Sequence, residues 1–162
     1  MTKSSLPSLL IKSAVFIIAI VVIMYLYYSV GQGNRDDFVD NNQDNIEIYV
    51  GNTRLLADIA DSEAEIVEGL SGRDELLSNE AMIFVLPASS RAGFWMKDMK
   101  FPIDIIWIDD NKKIVYIENN ISPETYPKIF YPDTDALYVL EVAAGFSETN
   151  KIDKSTVLRF DF

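Results

Sequence analysis

Residues 94–109 read FWMKDMKFPIDIIWID, and this stretch decides the fold class of the 162-residue chain. Aromatic, methionine and charged residues lead through a proline into the nearly all-apolar run at 103–108. The first half is too polar for a core strand, and the second half is too apolar for a loop. We therefore expect a polar segment that leads directly into a buried strand.

Short strands are predicted on both sides of this segment. Alternation of apolar and polar residues at 46–50 is typical of a half-buried strand, and Gly51 with Asn52 supplies a turn after it. Asp110 and Asn111 predict a hairpin in the same way. The predicted strands are 46–50, 54–60, 81–86, 93–96, 103–109, 112–118, 137–143 and 156–160.

One short helix is predicted at about 62–71. Ser62 and Glu65 have the spacing of a capping box, and Gly72 provides the residue that ends the helix. About eight short strands with one helix predict a mainly β domain. We expect a compact antiparallel sandwich or a partly closed barrel.

Composition excludes several classes of function. The chain has no cysteine and no histidine, which excludes thiol nucleophiles, Ser-His-Asp triads and zinc sites built from Cys or His. Two of the 14 basic residues and none of the 25 acidic residues lie in 1–30, so residues 31–162 carry a net charge of −13. Such an acidic domain repels nucleic acid and anionic headgroups, and we expect neither as a partner.

Residues 1–30 have the pattern of a membrane anchor. Residues 9–30 are apolar or aromatic at all but three positions, and as a helix they would span roughly 33 Å, enough to cross a bilayer. Lys3 and Lys12 predict a cytoplasmic N-terminus. The chain is then a single-pass cell-membrane protein.

This topology predicts how the remaining residues are arranged. Residues 31–45 are rich in Gly, Asn and Asp and predict a flexible polar linker. Residues 46–162 would then form an exported domain. A signal peptide cleaved near Ser29 is the alternative, and it would secrete the same domain.

Four blocks of sequence between residues 46 and 160 resemble an uncharacterised prokaryotic family, the domain of unknown function 192. The blocks are EGLSGR at 68–73, similar to its Gly-Leu-x-x-Arg helix end; AMIF at 81–84, similar to Gly-Met-Leu-Phe; FWMKDM at 94–99 with PID at 102–104, similar to Trp-Met-Lys-Asn-Thr and Pro-Leu-Asp; and YVLEVAAG at 138–145, similar to Val-Leu-Glu-x-x-x-Gly. The resemblance implies a compact, mainly β and often exported domain, and it brings no catalytic residues. Asp98, Met99 and Ala81 depart from the family's Asn, Thr and Gly.

Seven residues in these blocks are candidates for a binding site. They are Arg73, Trp95, Met96, Lys97, Asp98, Asp104 and Glu141. Glu141 is in phase with apolar Val139 and Ala143, so burial of that face would bury a carboxylate, which is costly without a partner. Arg73 or Lys97 would be that partner. Two interpretations remain open: an internal ion pair that sets strand register, or a pocket with a charged floor and an aromatic wall.

We interpret the domain as a non-enzymatic binding module for a cell-envelope glycan or a protein partner such as a membrane complex. Its aromatic residues with neighbouring carboxylates suit glycan binding, and the long loop at 119–135 suits docking of a protein. The alternative is a carbohydrate-active hydrolase that uses two carboxylates as acid and base. We expect no cofactor and no metal, although the acidic turns at 109–111 and 133–135 leave calcium as an alternative.

Overall fold

The computed structural model describes residues 45–162, so the predicted anchor and almost all of the predicted linker lie outside the described residues. The strands are β1 (Ile46–Val50), β2 (Thr53–Ala60), β3 (Glu80–Ser90), β4 (Phe94–Trp95), β5 (Ile103–Ile108), β6 (Ile114–Ile121), β7 (Ile129–Phe130), β8 (Ala136–Ala143) and β9 (Leu158–Arg159). The helices are α1 (Glu63–Glu68) and α2 (Phe146–Thr149), with one 3-10 turn at Pro123–Thr125. Neither α1 nor α2 is long and apolar enough to cross a membrane.

Seven strands form one curled sheet in the order β6-β5-β8-β3-β2-β1-β9, and β4 pairs with β7 separately. An antiparallel bridge between Lys113 and Val157 joins the two edges of the large sheet, which therefore curls into a half-barrel. The prediction of a mainly β, partly closed barrel with a short helix is confirmed.

The prediction of an all-antiparallel sheet is wrong at one pairing. β2 and β3 run parallel, with Asp58 opposite Met82. A parallel pair needs a crossover connection, and residues 61–79, which include α1, provide it.

The two faces of the large sheet carry separate apolar clusters. The concave cluster includes Ile48, Val50, Leu55, Ile83, Ile106, Leu140, Val142 and Leu158, and the convex cluster includes Leu70, Met82, Phe84, Phe94, Met96, Ile105, Trp107, Phe130 and Val139. All six residues of β5 are buried. A strand with both faces covered reads as a continuous apolar run, which explains the sequence of 103–108.

Several predicted boundaries differ from the structure, and two of the differences have a clear physical reason. β3 continues past Pro87 to Ser90, because its pairing with β8 is interrupted between Val85 and Ser90 and leaves no hydrogen bond for Pro87 to lose. The predicted helix 62–71 ends at Glu68. The capping box of Ser62 is confirmed, but Gly69 takes a positive φ of 51°, which glycine adopts readily, and the helix stops there.

Candidate functional site

The polar half of the segment at 94–109 lies against the turn that follows α1. Ser71 Oγ donates a 2.9 Å hydrogen bond to the carbonyl oxygen of Lys97, and the Gly72 N–H donates one of 2.9 Å to that of Asp98. Lys100 Nζ lies 2.7 Å from Asp74 Oδ1. These contacts hold the segment mainly by its backbone.

Asp98 and Lys97 are exposed in this arrangement. Asp98 has φ 55°, in the left-handed region, where Asp and Asn are both enriched over other residues. The change from the family's Asn to Asp98 therefore keeps the local backbone conformation.

A solvent-open cavity of about 100 Å³ lies beside this segment, between the end of α1, β3 and β4. We call it the Glu141 cavity. The lining residues used below are Glu68, Phe84, Phe94, Trp95, Met99 and Glu141. Gly69 also lines it, and a Cβ at Gly69 would lie 3.3 Å from Phe84 Cζ, so this glycine lets the helix end approach the aromatic wall.

Aromatic rings form the wall and the rim of the cavity. The rings of Phe84 and Phe94 are in edge contact with centroids 4.9 Å apart. Trp95, 43% exposed, lies at the rim and meets Tyr126 edge-on at 6.1 Å. Ile129 and Tyr131 are also exposed next to β4, so the rim continues into an apolar surface.

Glu141 is the buried polar group of the cavity. It is 4% exposed, and within residues 45–162 its carboxyl group has no side-chain hydrogen bond and no ion pair. Its cross-strand neighbours are Met82 on β3 and Ile105 on β5. Burial raises the pKa of Glu141 to about 8, against the opposing effect of the Arg73 charge. Glu141 is therefore mostly a neutral acid at pH 7.

Arg73 bonds to Asp58 instead, with its Nη2 2.6 Å from Asp58 Oδ2. Asp58, Met82 and Glu141 are aligned across β2, β3 and β8, so β3 separates the strand of this ion pair from the strand of Glu141. Arg73 lines a recess next to the Glu141 cavity, and both are lined by Glu68, Gly69 and Ser71. The expected ion pair of Glu141 with Arg73 or Lys97 is not formed in the described structure.

Asp104 lies on the other side of the large sheet. Its side chain is fully buried and accepts three backbone hydrogen bonds, from Asn120 at 2.8 Å, Gly145 at 3.0 Å and Ser147 at 2.8 Å. It is in phase with Ile106 of the concave cluster. Asp104 therefore ties β5 to the end of β6 and the start of α2, and it does not reach the Glu141 cavity.

The seven residues predicted as candidates for a binding site therefore do not form a single site. Trp95 and Glu141 line the cavity, and Arg73 lines the recess next to it. Met96 is core, and Lys97, Asp98 and Asp104 lie elsewhere. Sequence reasoning missed Glu68, Phe84, Phe94 and Met99 as lining residues, although each stands within or next to a family block.

The acidic turn proposed for calcium has a local role. Asp109 Oδ1 accepts the N–H of Asn111 at 2.9 Å and that of Lys113 at 2.8 Å. These bonds shape the hairpin between β5 and β6. Within residues 45–162 no group of three or more acidic side chains is placed to hold a metal ion.

These features define a small mainly β domain with a curled sheet and an aromatic-walled cavity over a buried acid. The chain belongs to the DUF192 family, described as "Uncharacterized ACR", whose sequence model matches residues 46–160. The resemblance found in the sequence is confirmed.

Two curated relatives are UPF0127 proteins of archaea. The chain is 31% identical over 85 residues to one from Thermococcus gammatolerans, covering 51% of this chain and 53% of the relative. It is 28% identical over 82 residues to one from Thermococcus kodakarensis, covering 49% and 50%. The chain spans about half the length of the curated relatives it matches.

Two crystal structures share the fold. One, from Sinorhizobium meliloti and described as a proposed transcription regulator, superposes with a TM-score of 0.70 at 20% identity and covers 75% of this chain and 97% of that chain. The other, a protein of unknown function from Novosphingobium aromaticivorans, has a TM-score of 0.65 at 26% identity and covers 73% and 85%. At 20% identity the first likeness shows the fold alone.

Proposed function

We propose that residues 46–162 form a non-enzymatic binding module whose ligand site is the Glu141 cavity. One observation carries this proposal: Glu141, a residue only 4% exposed, presents to a solvent-open cavity a carboxyl group that has no side-chain hydrogen bond or ion pair in residues 45–162. Buried polar groups are normally hydrogen-bonded. A cavity with aromatic residues in its wall and a few polar groups is the usual arrangement of a small-molecule site.

The ligand would place a ring or apolar face against Trp95 and a polar group near Glu141. Half-exposed aromatic side chains at a cavity rim favour a ligand with a flat face. Saccharide rings offer such a face together with hydrogen-bonding groups. A cell-envelope glycan fragment is therefore our proposed source of the ligand.

Substitution of Trp95 tests the site. In the full chain, Trp95→Ala should weaken binding of a positive ligand from a glycan and peptidoglycan panel by roughly 30-fold, since an aromatic anchor contributes ~2 kcal/mol or more. Phe162→Ala is the matched control, because Phe162 is also an exposed aromatic residue and does not line the cavity. Equal losses of ligand affinity in both variants would show that the ligand does not bind at the cavity. Binding that is indifferent to Trp95 would favour a protein partner at residues 119–135.

A hydrolase is the second candidate, and one observation favours it. The pKa of Glu141 is raised to about 8 by burial, as in a general acid, and Glu68 lines the same cavity as a second carboxyl group. Asp104 is not available for such a pair because three backbone N–H groups occupy it. Release of reducing sugar from the glycan panel that is lost in Glu141→Gln would support the hydrolase over the binding module.

We also propose that residues 1–30 anchor the chain in the cell membrane with the domain outside. The long apolar run and the two lysines before and within it support this topology. Protease added to intact cells should digest residues 46–162 and spare the N-terminal end. Recovery of a membrane-free form that lacks residues 1–31 would favour the cleaved signal peptide.

A further inference from the structure

We propose that the polar group received by Glu141 is an ammonium group, carried by a small organic amine or by an amino sugar. This inference rests on the proposed function of the Glu141 cavity and names the chemistry of its ligand.

The surroundings of Glu141 fit a cation better than a neutral or an anionic group. Glu141 is 4% exposed, and its carboxyl group has no side-chain hydrogen bond or ion pair in residues 45–162, so an ammonium would supply hydrogen bonds, and a countercharge once the carboxyl group ionises. The rings of Phe84, Phe94 and Trp95 line the same cavity. Aromatic faces attract alkylammonium groups more strongly where water is excluded.

The charges that face Glu141 also select for a cation. From α1, Glu68 lines the cavity and adds a second acidic group. Arg73 acts on Glu141 as an opposing positive charge, but Asp58 on β2 is paired with it. The neighbours on β3 and β5 are the uncharged Met82 and Ile105.

The remaining charge in that row of the sheet is also acidic. Glu118 on β6 is the next residue beyond Ile105, and it accepts a hydrogen bond from Tyr116. The whole chain has a net charge of −11. An anionic ligand would meet repulsion from each of these acids.

Binding of an ammonium should be coupled to loss of a proton. Without ligand, Glu141 keeps its proton at neutral pH because burial raises its pKa to about 8. A bound ammonium favours the ionised form, so the carboxyl O–H breaks, the proton goes to buffer, and a carboxylate–ammonium pair remains. For an amine that keeps its own proton over this range, such as benzylammonium, affinity should therefore rise by up to about tenfold per pH unit between pH 6 and 8. A neutral ligand that accepts a hydrogen bond from the protonated Glu141 should instead bind more weakly as the pH rises above 8.

Isothermal calorimetry on the full chain in detergent micelles tests this coupling. The probes are two matched pairs that differ in charge: benzylammonium with benzyl alcohol, and glucosamine with N-acetylglucosamine. We expect the ammonium member of at least one pair to bind at least tenfold more tightly than its neutral partner at pH 7. We also expect release of close to one proton, measured from heats in two buffers of different ionisation enthalpy.

Two variants assign the effect to Glu141. Glu141→Gln keeps the shape of the neutral acid and should abolish both the preference for ammonium and the proton release. Glu68→Gln removes the second acid of the cavity and should weaken binding without changing the number of protons released. Proton release that persists in Glu141→Gln would overturn the assignment.

The outcomes separate this inference from the proposed function. A response to benzylammonium alone identifies a small amine, and a response to glucosamine alone identifies an amino sugar. Neutral probes that bind as tightly as the ammonium probes, in a manner that depends on Trp95, would overturn the inference and leave the binding module standing. Failure of all four probes would overturn the inference, and the Trp95→Ala comparison on the glycan panel would then decide the proposed function by itself.

Discussion

Two buried carboxyl groups have opposite environments in this domain. Asp104 accepts three backbone hydrogen bonds, whereas Glu141 has no side-chain partner within residues 45–162. Burial of either group carries a desolvation cost, and only Asp104 recovers it through the protein. Asp104 is therefore a structural residue, and Glu141 is the group for which we propose a ligand.

Asp104→Asn should destabilise the domain. An amide in place of the carboxylate turns one acceptor into a donor that faces backbone N–H groups, so we expect a loss of roughly 2–4 kcal/mol in the free energy of unfolding. Urea denaturation followed by tryptophan fluorescence measures it. Asp98→Asn is the matched control and should change stability by less than about 0.5 kcal/mol because Asp98 is exposed. Equal values for the two variants would refute the structural role.

Glu141→Gln should change the pH dependence of stability. The folded-state pKa is raised from 4.5 to about 8, so between these pH values the folded chain holds a proton that the unfolded chain has lost. Stability of the native chain relative to Glu141→Gln should therefore fall as pH rises from 4.5 to 8 and stay level above 8. Over this pH range the free energy of unfolding of the native chain should fall by roughly 3–5 kcal/mol relative to that of Glu141→Gln, because each pH unit contributes ~1.4 kcal/mol.

Denaturation midpoints of both chains at pH 5, 7 and 9 test this expectation. All other titrating groups are common to the two chains, so their difference isolates Glu141. Parallel curves over the whole range would mean that Glu141 titrates as an ordinary exposed acid.

At the scale of elements, the two-stranded β4–β7 sheet holds Trp95 at the cavity rim. Phe94 pairs with Phe130 and Trp95 with Ile129. Gly93 precedes this sheet and lies against two side chains: a Cβ there would be 2.5 Å from Ile129 Cγ2 and closer still to the ring of Tyr131. Glycine is needed here for close approach rather than for its backbone conformation.

Gly93→Ala should therefore loosen the β4–β7 sheet. Overpacking of this kind costs about 1–3 kcal/mol, and ligand affinity should fall with it because Trp95 shifts. The same substitution in a background with alanine at both Ile129 and Tyr131 should cost less than half as much, because the clashing atoms are gone. A cost that is equal in both backgrounds would contradict this steric explanation.

At the scale of the whole molecule, the C-terminal segment closes the half-barrel. Lys112 Nζ bonds to the carbonyl oxygen of Phe160 and to Asp161, and Tyr138 meets the rings of Phe160 and Phe162. β9 itself pairs with β1. The last residues thus connect both edges of the sheet.

Removal of residues 158–162 should abolish cooperative unfolding. The deletion exposes the concave cluster, which includes buried Leu158 and Phe160, and burial of each such side chain is worth ~1.5–3 kcal/mol. Circular dichroism during thermal denaturation of the full chain and the truncated chain measures the loss. Deletion of Phe162 alone is the control and should have little effect because this residue is exposed. A sharp transition in the longer deletion would show that β9 is dispensable.

Local sequence determined most of the elements. Alternation marked β1, a continuous apolar run marked β5, turn residues marked the β5–β6 hairpin, and the capping box of Ser62 marked the start of α1, because each of these signals acts between near neighbours. The family was also identifiable from four short blocks. The two-residue strand β7 and the four-residue α2 were not predicted, since elements so short depend on tertiary contacts.

Only the tertiary structure decided where the polar residues meet. Alternation along the strand at 137–143 showed that Glu141 is in phase with apolar residues. It could not show that β2 and β3 run parallel, that Arg73 forms its ion pair with Asp58 and not with Glu141, or that Asp104 lies on the opposite face of the sheet. Those outcomes depend on strand order and on crossover connections between distant segments, which pairwise spacing in the chain does not encode. The position of Glu141 in the cavity is therefore decided by the sheet's topology, while most of the strands that form the sheet were predictable from the sequence.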